Sequence, residues 1–360
     1  MRAVVFDGVG SPLEVESLEP LPPGVHDVVV EVTGSGICHT DHAVLHGALP
    51  MVPPMVLGHE VTGTVVEVGS AVGRVRVGDR VIGSGLPACG NCEPCTHGRT
   101  HLCDATMLLP ETPRATRADG TVVRAFGSLG GFAEMMTVHE ASIVPVRTDL
   151  PAEQLALIGC AVTTGVGASL NTAAIEPGAT VAVVGLGGIG QCVLQGARIA
   201  GAARIIAVDP VLAKREAAAA LGATDLVDPG DGDPVEQVRA LTGGRGVDHA
   251  LEAVGRADTI LGTYRMARRG GVVTVVGMPP FDSTIAFPGL ELFLDAKEIR
   301  VSNMGSSQIR AEFPRLVALA EADRLDLASM VSRRITLDEV GDAVAHMEEG
   351  SAIRTVVLPG

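Results

Sequence analysis

The chain has 360 residues, of which 46% are hydrophobic and 19% charged, and its formal net charge is −15. At roughly 150 residues per domain, this length predicts two domains with hydrophobic cores, and the composition excludes disordered and fibrous classes. The negative charge disfavours nucleic acid and anionic membrane surfaces as partners, because their phosphate groups would repel such a protein.

The first 150 residues predict short strands between glycine and proline turns. Valine-rich segments mark these strands at Asp27–Val32, Val61–Val68, Asp79–Ile82, Phe132–Val138 and Ser142–Pro145. Residues 20–23 contain several prolines and predict an early loop. Many short strands with turns between them are typical of a β-rich, barrel-like domain.

From about Pro151 onward, helices and strands are predicted in alternation. The helices are expected at residues 152–170, 188–200, 212–221, 234–241 and about 259–267. The strands are expected at residues 180–184, 204–208, 225–227, 247–252 and 271–276. Such alternation predicts a doubly wound parallel sheet. The tail then predicts helices at 311–322 and 337–349 and a last strand at 354–358.

Two segments bear on the cellular location. Residues 179–197 are almost uncharged, but their glycines and two glutamines favour a buried strand and helix over a membrane span. Residues 1–7 are typical of a strand rather than of a charged and apolar leader. We therefore expect a cytoplasmic protein, in a compartment where thiols stay reduced and clustered cysteines more often bind metal.

Four of the seven cysteines lie within fifteen positions, in the pattern C-x2-C-x2-C-x7-C. They are Cys89, Cys92, Cys95 and Cys103. Four thiolates so close in sequence can surround one zinc ion tetrahedrally, and such a closed site stabilises a loop rather than reacting. Disulfides, an iron–sulfur cluster and unrelated buried thiols are the alternatives, but reduced thiols and the last spacing of seven favour structural zinc.

A second group of metal-ligand residues is dispersed along the chain. Cys38, His59 and Cys160 each lie beside glycines that permit tight backbone turns. Taken singly, such cysteines and histidines are more often core or structural residues. Taken together, three protein ligands with one open position are the arrangement of a catalytic zinc. The remaining cysteine, Cys192, is predicted to be a core residue.

The third motif is a glycine-rich turn between a predicted strand and a predicted helix. It consists of Gly185, Leu186, Gly187, Gly188, Ile189 and Gly190. In this context Gly185 allows the turn, Gly187 lets the backbone approach a pyrophosphate, and Gly190 allows close packing. The phosphate charge would lie at the N-terminus of the helix, so the motif predicts a dinucleotide site.

Asp209 ends the next predicted strand, nineteen residues after Gly190. A carboxylate there accepts hydrogen bonds from the adenosine ribose and repels a 2′-phosphate, which favours NAD over NADP. Asp209 can also be a plain turn residue before Pro210, and the nearby Lys214 and Arg215 leave some tolerance for a phosphate.

These three motifs, in this order and over nearly the whole chain, resemble the zinc-dependent medium-chain alcohol dehydrogenase family. The resemblance implies a GroES-like catalytic domain (residues 1–161, completed by 303–360) and a Rossmann NAD-binding domain (162–302). It further implies two zinc ions per chain, an active site in the cleft between the domains, and a homodimer or homotetramer.

The resemblance also implies roles for single residues. Cys38, His59 and Cys160 match the catalytic zinc ligands, and the four clustered cysteines match the structural zinc site. Asp41 matches the carboxylate that orients His59, Glu60 the acid behind the metal, and Thr40 the hydroxyl that bonds the substrate. The positions that match cofactor contacts are His39, Thr164, Lys214, Val254, Val276, Met278 and Arg354.

Two positions depart from the family pattern. Many relatives carry a proton-relay histidine at the position of Ala43, where this chain instead has His42 just before and His46 just after. Many also carry a bulky aromatic residue at the position of Gly85, so a wider substrate pocket is expected.

The predicted activity is hydride transfer between a primary or secondary alcohol and NAD. Zinc can lower the pKa of a bound hydroxyl, and the resulting alkoxide expels hydride readily. An alternative substrate is the adduct of formaldehyde with a low-molecular-weight thiol such as glutathione or mycothiol, whose anionic groups Arg114, Arg117 and Arg124 would meet. A non-enzymatic zinc- and NAD-binding scaffold is the third hypothesis.

Overall fold

A computed structural model of the chain describes residues 1–105, 113–280, 282–345, 347 and 353–360. The chain forms two compact units. The first contains Met1–Ala161, Gln308–Asp323 and Leu327–Gly360, and the second contains Val162–Ser307 and Arg324–Asp326. Residues 303–307 and 324–326, which the prediction assigned to the first domain, thus belong to the second unit.

The strands of the described residues are numbered here in chain order. They are β1 (Arg2–Phe6), β2 (Glu14–Ser17), β3 (Glu19–Pro20), β4 (Asp27–Gly36), β5 (Met55–Val56), β6 (Glu60–Val68), β7 (Arg80–Gly83), β8 (Pro113–Thr116), β9 (Val122–Ala125), β10 (Met135–His139), β11 (Ile143–Pro145), β12 (Thr180–Val184), β13 (Arg204–Val208), β14 (Asp225–Val227), β15 (Val247–Glu252), β16 (Ala267–Val275), β17 (Glu298–Val301), β18 (Val331–Ile335) and β19 (Arg354–Val357).

The helices are numbered in the same way. They are α1 (His39–Leu45), α2 (Glu93–Thr96), α3 (Ala152–Leu157), α4 (Thr163–Gly167), α5 (Gly188–Ala200), α6 (Leu212–Leu221), α7 (Pro234–Leu241), α8 (Ala257–Met266), α9 (Gly289–Asp295), α10 (Ile309–Glu321) and α11 (Val340–Ala345). Wider π-helical turns follow α3 at Ile158–Val162 and α4 at Ala168–Thr172.

The first unit is built on two sheets. One has the strand order β2-β1-β5-β9-β8-β3, and the other has the order β11-β7-β6-β4-β19-β18, with β10 also paired to β4. Because successive side chains of a strand point to opposite faces, Val28, Val30 and Val32 of β4 enter one aliphatic core. The strand then delivers Cys38 just beyond its end.

The second unit contains one parallel sheet with the order β14-β13-β12-β15-β16-β17. Its central strands are nearly continuous runs of buried aliphatic residues, as expected when helices cover both faces. The predicted fold class, a β-rich domain with a doubly wound parallel sheet, is thereby confirmed. The elements from Thr180 to Glu252 begin and end at the predicted residues.

Other predictions were less accurate. The predicted helix at 337–349 is a 3-10 turn, Leu337–Glu339, followed by the short α11, and residues 346 and 348–349 lie outside the described part of the chain.

The segment 179–197 is a strand and a helix, as predicted. A different helix, residues 152–172, is long and apolar enough to span a membrane, but 83% of its most apolar window is buried within the protein, which is typical of a core helix.

Candidate functional site

The four clustered cysteines come together in a compact loop of the first unit. Gly90 has φ +82°, a conformation that side chains rarely adopt, and it turns the chain back between Cys89 and Cys92. Cys92 then caps α2, whose first turn contains a proline, and Cys95 lies on the buried side of that helix. Cys103 follows the 3-10 turn Thr100–Leu102 and is 1% exposed.

The sulfur–sulfur distances decide between the alternatives for this cluster. All four Sγ atoms lie within 4.8 Å of one another, with Cys89 to Cys95 at 4.0 Å and Cys92 to Cys103 at 3.9 Å. A disulfide requires about 2.05 Å, whereas four sulfurs about 2.3 Å from one tetrahedral ion lie about 3.8 Å apart. The spacing therefore fits a single zinc ion, and it leaves no room for a cluster of several irons and sulfides.

The electrostatics of the loop differ from one cysteine to the next. Backbone N–H groups of Asn91 and Cys92 donate to the sulfur of Cys89, each at 3.4 Å, and they lower the pKa of its thiol. Burial raises the pKa of Cys95 to about 12. Zinc binds thiolates, so a zinc ion in this loop would favour loss of the proton from each of the four thiols.

The dispersed residues also come together in the first unit. Cys38 is the N-cap of α1, His59 directly precedes β6, and Cys160 lies in the π-helical turn after α3. Their ligand atoms and a carboxylate oxygen of Glu60 lie within 4.8 Å of one another. The wide turn matters because π-bulges often occur at functional sites, and here it carries one of the sulfurs.

The carboxylate of Asp41 orients the imidazole of His59. Its Oδ1 lies 3.2 Å from His59 Nδ1, which leaves the other ring nitrogen for the cluster. Asp41 also accepts backbone N–H groups from Cys38 at 3.1 Å and Gly58 at 3.0 Å, and it is 0% exposed. Metal-binding histidines usually donate their second N–H to such a carboxylate, which fixes the tautomer and the ring orientation.

The buried groups of this site shift one another's pKa values. The thiol of Cys160 lowers the pKa of Cys38 well below its usual range, while the same contact and burial raise that of Cys160. Burial would lower the pKa of His59, but the charges of Asp41 and Cys38 outweigh it and raise the pKa well above its ordinary value. Two sulfurs and an imidazole nitrogen are a donor set that fits zinc.

Glu60 lies beside this donor set and is fully buried. Burial raises its pKa to about 8, although Arg354 opposes that rise. Arg354 Nη2 lies 3.7 Å from Glu60 Oε1, and neither carboxylate oxygen accepts a hydrogen bond from the described residues. The structure thus places Arg354, a predicted pyrophosphate contact, against Glu60; the pyrophosphate contact itself remains a prediction.

Helix α1 carries the predicted substrate and relay residues. Thr40 Oγ1 lies 3.6 Å from Cys38 Sγ, so its hydroxyl is next to the donor set. His39 is exposed at the start of the helix. The rings of His42 and His46 lie 4.1 Å apart, one helical turn from each other, and Ala43 between them offers no proton-accepting group.

Two features beside His59 were not predicted from the sequence. The ring of Phe126 meets the imidazole edge-on, with centroids 5.4 Å apart, and Gly127 faces Gly85 across the other side of His59. A Cβ built on Gly85 would lie 3.8 Å from Gly127 and 3.9 Å from the Cβ of His59, which is ordinary van der Waals contact. No spacing rule links residues 126–127 to His59; only the fold brings them together.

The glycine-rich turn of the second unit has the geometry of a phosphate site. Gly185 has φ +86°, and a Cβ on Gly190 would overlap the carbonyl oxygen of Gly185. In contrast, a Cβ on Gly187 would meet no atom of the described residues within 4 Å. Gly187 caps α5, which begins at Gly188, so the helix N-terminus and the open space coincide. Ile189 lies half-buried in the first turn of that helix.

Asp209 is tied to the same turn. Its Oδ2 accepts the backbone N–H of Leu186 and its Oδ1 that of Val211, both at 2.8 Å. The guanidinium of Arg215 donates to the carbonyl oxygen of Asp209 at 2.5 Å and also pairs with Asp228 at 2.6 Å. Lys214 is half-buried, and its carbonyl accepts a hydrogen bond from Gln191. The preference for NAD over NADP remains a prediction.

Three other predicted cofactor residues lie at the carboxyl ends of strands in the second unit, where ligands bind to open parallel sheets. Val254 follows β15 and is 44% exposed, and Met278, after β16, is 61% exposed. Val276 is buried directly after β16. Thr164 lies in α4, where its hydroxyl donates to the sulfur of Met304 at 3.6 Å.

Comparisons with known proteins give a consistent answer. The model of the alcohol dehydrogenase GroES-like domain matches residues 24–148, and that of the zinc-binding dehydrogenases matches residues 188–322. An S-(hydroxymethyl)glutathione dehydrogenase of Photobacterium damsela subsp. piscicida is 37% identical over 365 residues, covering 99% of each protein.

Solved structures agree with those matches. The benzyl alcohol dehydrogenase of Acinetobacter calcoaceticus superimposes with a TM-score of 0.93 at 29% identity, covering 100% of this chain and 99% of that one. A putative zinc-binding dehydrogenase of Sinorhizobium meliloti 1021, solved with bound NADP, superimposes with a TM-score of 0.83 at 31% identity, covering 99% of each chain.

Proposed function

Because the chain belongs to the zinc-dependent medium-chain alcohol dehydrogenase family, we propose that it transfers hydride between a primary or secondary alcohol and NAD. As a member it is a zinc- and NAD(P)-dependent oxidoreductase. The observation that carries the proposal is the buried set of Cys38, His59 and Cys160, three donors that leave a fourth position for a substrate oxygen.

We assign those three residues to a catalytic zinc and the four clustered cysteines to a structural zinc. When bound, the catalytic zinc favours loss of the alcohol proton, and NAD accepts the hydride. Thr40 would accept a hydrogen bond from the substrate hydroxyl and relay the proton outward by donating its own toward the ribose of the bound cofactor, since its hydroxyl lies beside Cys38. Asp41 keeps the imidazole of His59 oriented, and Phe126 restricts rotation of that ring.

We assign Gly185, Gly187 and the first turn of α5 to the pyrophosphate, and Asp209 to the adenosine ribose. His39, Thr164, Val254, Val276, Met278 and Arg354 are proposed as the remaining dinucleotide contacts. Substituting Asp209→Gly should shift the ratio of kcat/KM for NAD over that for NADP by about 10-fold toward NADP, because a 2′-phosphate no longer meets a carboxylate. An unchanged ratio would remove Asp209 from this role.

A substrate panel tests the activity itself. NADH formation from aliphatic and benzylic alcohols should be measured on protein whose zinc content is known. Because Gly85 places no side chain where many relatives carry a bulky aromatic one, we expect benzylic alcohols to be preferred over short aliphatic ones, and Gly85→Phe should reverse that preference while leaving zinc content unchanged. Fully zinc-loaded protein that reduces no NAD with any of these alcohols or with a formaldehyde–thiol adduct would support the non-enzymatic scaffold instead.

The second candidate substrate is a formaldehyde–thiol adduct. It is favoured by the identity of 37% to an S-(hydroxymethyl)glutathione dehydrogenase. The arginines that prompted it from the sequence give it less support, because Arg114 pairs with Asp27 at 3.0 Å and Arg117 pairs with Glu16 and Asp7. Comparing kcat/KM for S-(hydroxymethyl)glutathione with that for benzyl alcohol separates the two functions.

The oligomer is proposed to be a dimer or tetramer that forms through the second unit. Strand β17 is an edge of the parallel sheet, and Val301 on it is 72% exposed. Helix α9 exposes Leu290 by 72% and Phe293 by 80%. Exposed apolar residues at an open sheet edge are typical of interfaces. A double variant Phe293→Glu/Val301→Lys should be a monomer by light scattering.

The cytoplasm remains the proposed location. None of the seven cysteines, all of which lie in the described residues, forms a disulfide, which fits a reducing compartment.

A further inference from the structure

One buried carboxylate of the second unit has a set of contacts that the reaction does not require. Glu252 is the last residue of β15, and it is 0% exposed. Its Oε1 accepts three hydrogen bonds: from the backbone N–H of Val254 at 3.0 Å, from that of Gly255 at 2.8 Å, and from the hydroxyl of Thr259 at 2.7 Å. A single oxygen thus holds the loop after β15 and the first turn of α8.

That loop is a wall of the glycine-rich turn. A Cβ on Gly185 would overlap Val254 Cγ2, so the valine packs directly over the glycine. On its other side the loop is equally close to the segment after β16, since a Cβ on Gly255 would overlap the carbonyl oxygen of Met278. A small displacement of the loop would therefore either press Val254 against Gly185 or open a gap beside Met278.

We propose that Glu252 is a positioning residue for dinucleotide binding, which fixes Val254 at the distance from Gly185 that the cofactor needs. The proposal rests on the dinucleotide site described under the proposed function. It goes further because Glu252 acts through the loop and touches no reacting atom. Its loss should weaken cofactor binding and leave the rate at saturating cofactor nearly unchanged.

The chemistry of Glu252 suits this role. Hydrogen bonds to a charged acceptor are stronger than neutral ones, and a buried N–H that loses its acceptor carries the full cost of desolvation. Without the carboxylate, the N–H groups of Val254 and Gly255 must find water, which pulls the loop away from the sheet. A glutamine at this position still offers a carbonyl oxygen to the same donors, although its amide replaces Oε2, which accepts no hydrogen bond from the described residues.

The same strand provides a matched control. Asp248 lies near the opposite end of β15, where it accepts the backbone N–H of Thr180 at 2.9 Å and pairs with Arg268 at 2.7 Å. Its substitution also removes a hydrogen-bonded carboxylate from this strand, but far from the carboxyl edge of the sheet. A general loss of stability would affect both variants alike.

The experiment measures NADH binding by fluorescence, NAD kinetics and thermal unfolding for the full-length zinc-loaded protein and four variants. Glu252→Ala should raise the Kd of NADH and the KM of NAD about 10-fold with kcat within about 2-fold, and Glu252→Gln should restore binding to within about 3-fold. Thr259→Val, which removes only one donor and keeps the side-chain shape, should raise Kd about 3-fold. Asp248→Ala should lower the melting temperature without changing Kd.

Equal Kd values for the wild type, Glu252→Ala and Thr259→Val would overturn the proposal. It would also fail if Asp248→Ala weakened binding as much as Glu252→Ala, because the effect would then be general. If Glu252→Ala does not fold, Thr259→Val decides the matter: a Kd raised about 3-fold supports the proposal and an unchanged Kd overturns it. Wild-type protein that binds no NADH would instead contradict the proposed dinucleotide site itself.

Discussion

The two candidate metal sites of the first unit use similar donors but are built in different ways. The cysteine loop takes four sulfurs from residues 89–103, and most of its supporting contacts are backbone N–H groups of the same loop. The Cys38–His59–Cys160 set takes its donors from three separate elements and is surrounded by Asp41, Glu60 and Arg354. A local site with four sulfurs is complete by itself, whereas the dispersed one has three donors and charged neighbours.

This difference indicates which site does chemistry and which maintains the fold. A closed four-sulfur site offers no position for a substrate, so its loss should affect stability. A three-donor site depends on the whole first unit for its geometry, so its loss should affect turnover while the fold persists. Substitutions at matched positions in the two sites test this contrast.

The largest effect is expected for Cys38→Ser. The serine keeps the N-cap position of α1 but removes a soft ligand, so we expect turnover to fall by about 10³-fold, equivalent to about 4 kcal/mol of transition-state stabilisation. Zinc content should fall from two ions per chain to one. The melting temperature should change little, and normal activity in the variant would remove Cys38 from the ligand set.

An intermediate effect is expected for Asp41→Asn. The asparagine side chain has the same shape, but its NH2 group replaces one carboxylate oxygen and cannot accept a hydrogen bond. Either the contact with His59 or a hydrogen bond from the backbone is therefore lost. Outer-shell changes of this kind cost about 10- to 100-fold in metal affinity or activity. Steady-state kinetics with added zinc separates an effect on zinc affinity from an effect on turnover. Full recovery of kcat by added zinc would show that Asp41 acts on zinc affinity. A variant with the zinc content and kcat of the wild type would contradict any role of Asp41 at the site.

The part of the site that the sequence could predict is the part whose signal is local. Spacing alone pointed to the four clustered cysteines and to the Gly185–Gly190 turn, because each motif lies within one turn or loop. The contacts between distant residues could not be predicted that way: Arg354 beside Glu60 depends on the pairing of β19 with β4, which joins residues some three hundred positions apart. The position of Phe126 against His59 depends likewise on the fold.

The fold shows the same division. In the second unit, long apolar strands alternate with helices that end at glycines such as Gly201 and Gly222, so the boundaries could be predicted closely. In the first unit, strands as short as Met55–Val56 and Glu19–Pro20 exist only through pairing with distant strands, and local patterns do not reveal them. The π-helical turn that carries Cys160 also lacks a local signal, because the segment is apolar on both sides.

The smallest effect on catalysis is expected for Cys95→Ser, which breaks the local site. Cys95 is 9% exposed and packs with Cys103 and Ala88 in a small core that has few other apolar residues, so the loop depends on its ion for stability. Loss of that ion should cost about 3 kcal/mol and lower the melting temperature by about 10 °C, while kcat measured below the transition stays within about 2-fold. Scanning calorimetry, zinc analysis and kinetics on one preparation check this. A fall in kcat as large as that of Cys38→Ser, with an unchanged melting temperature, would mean that the two sites are not divided between stability and chemistry as their construction indicates.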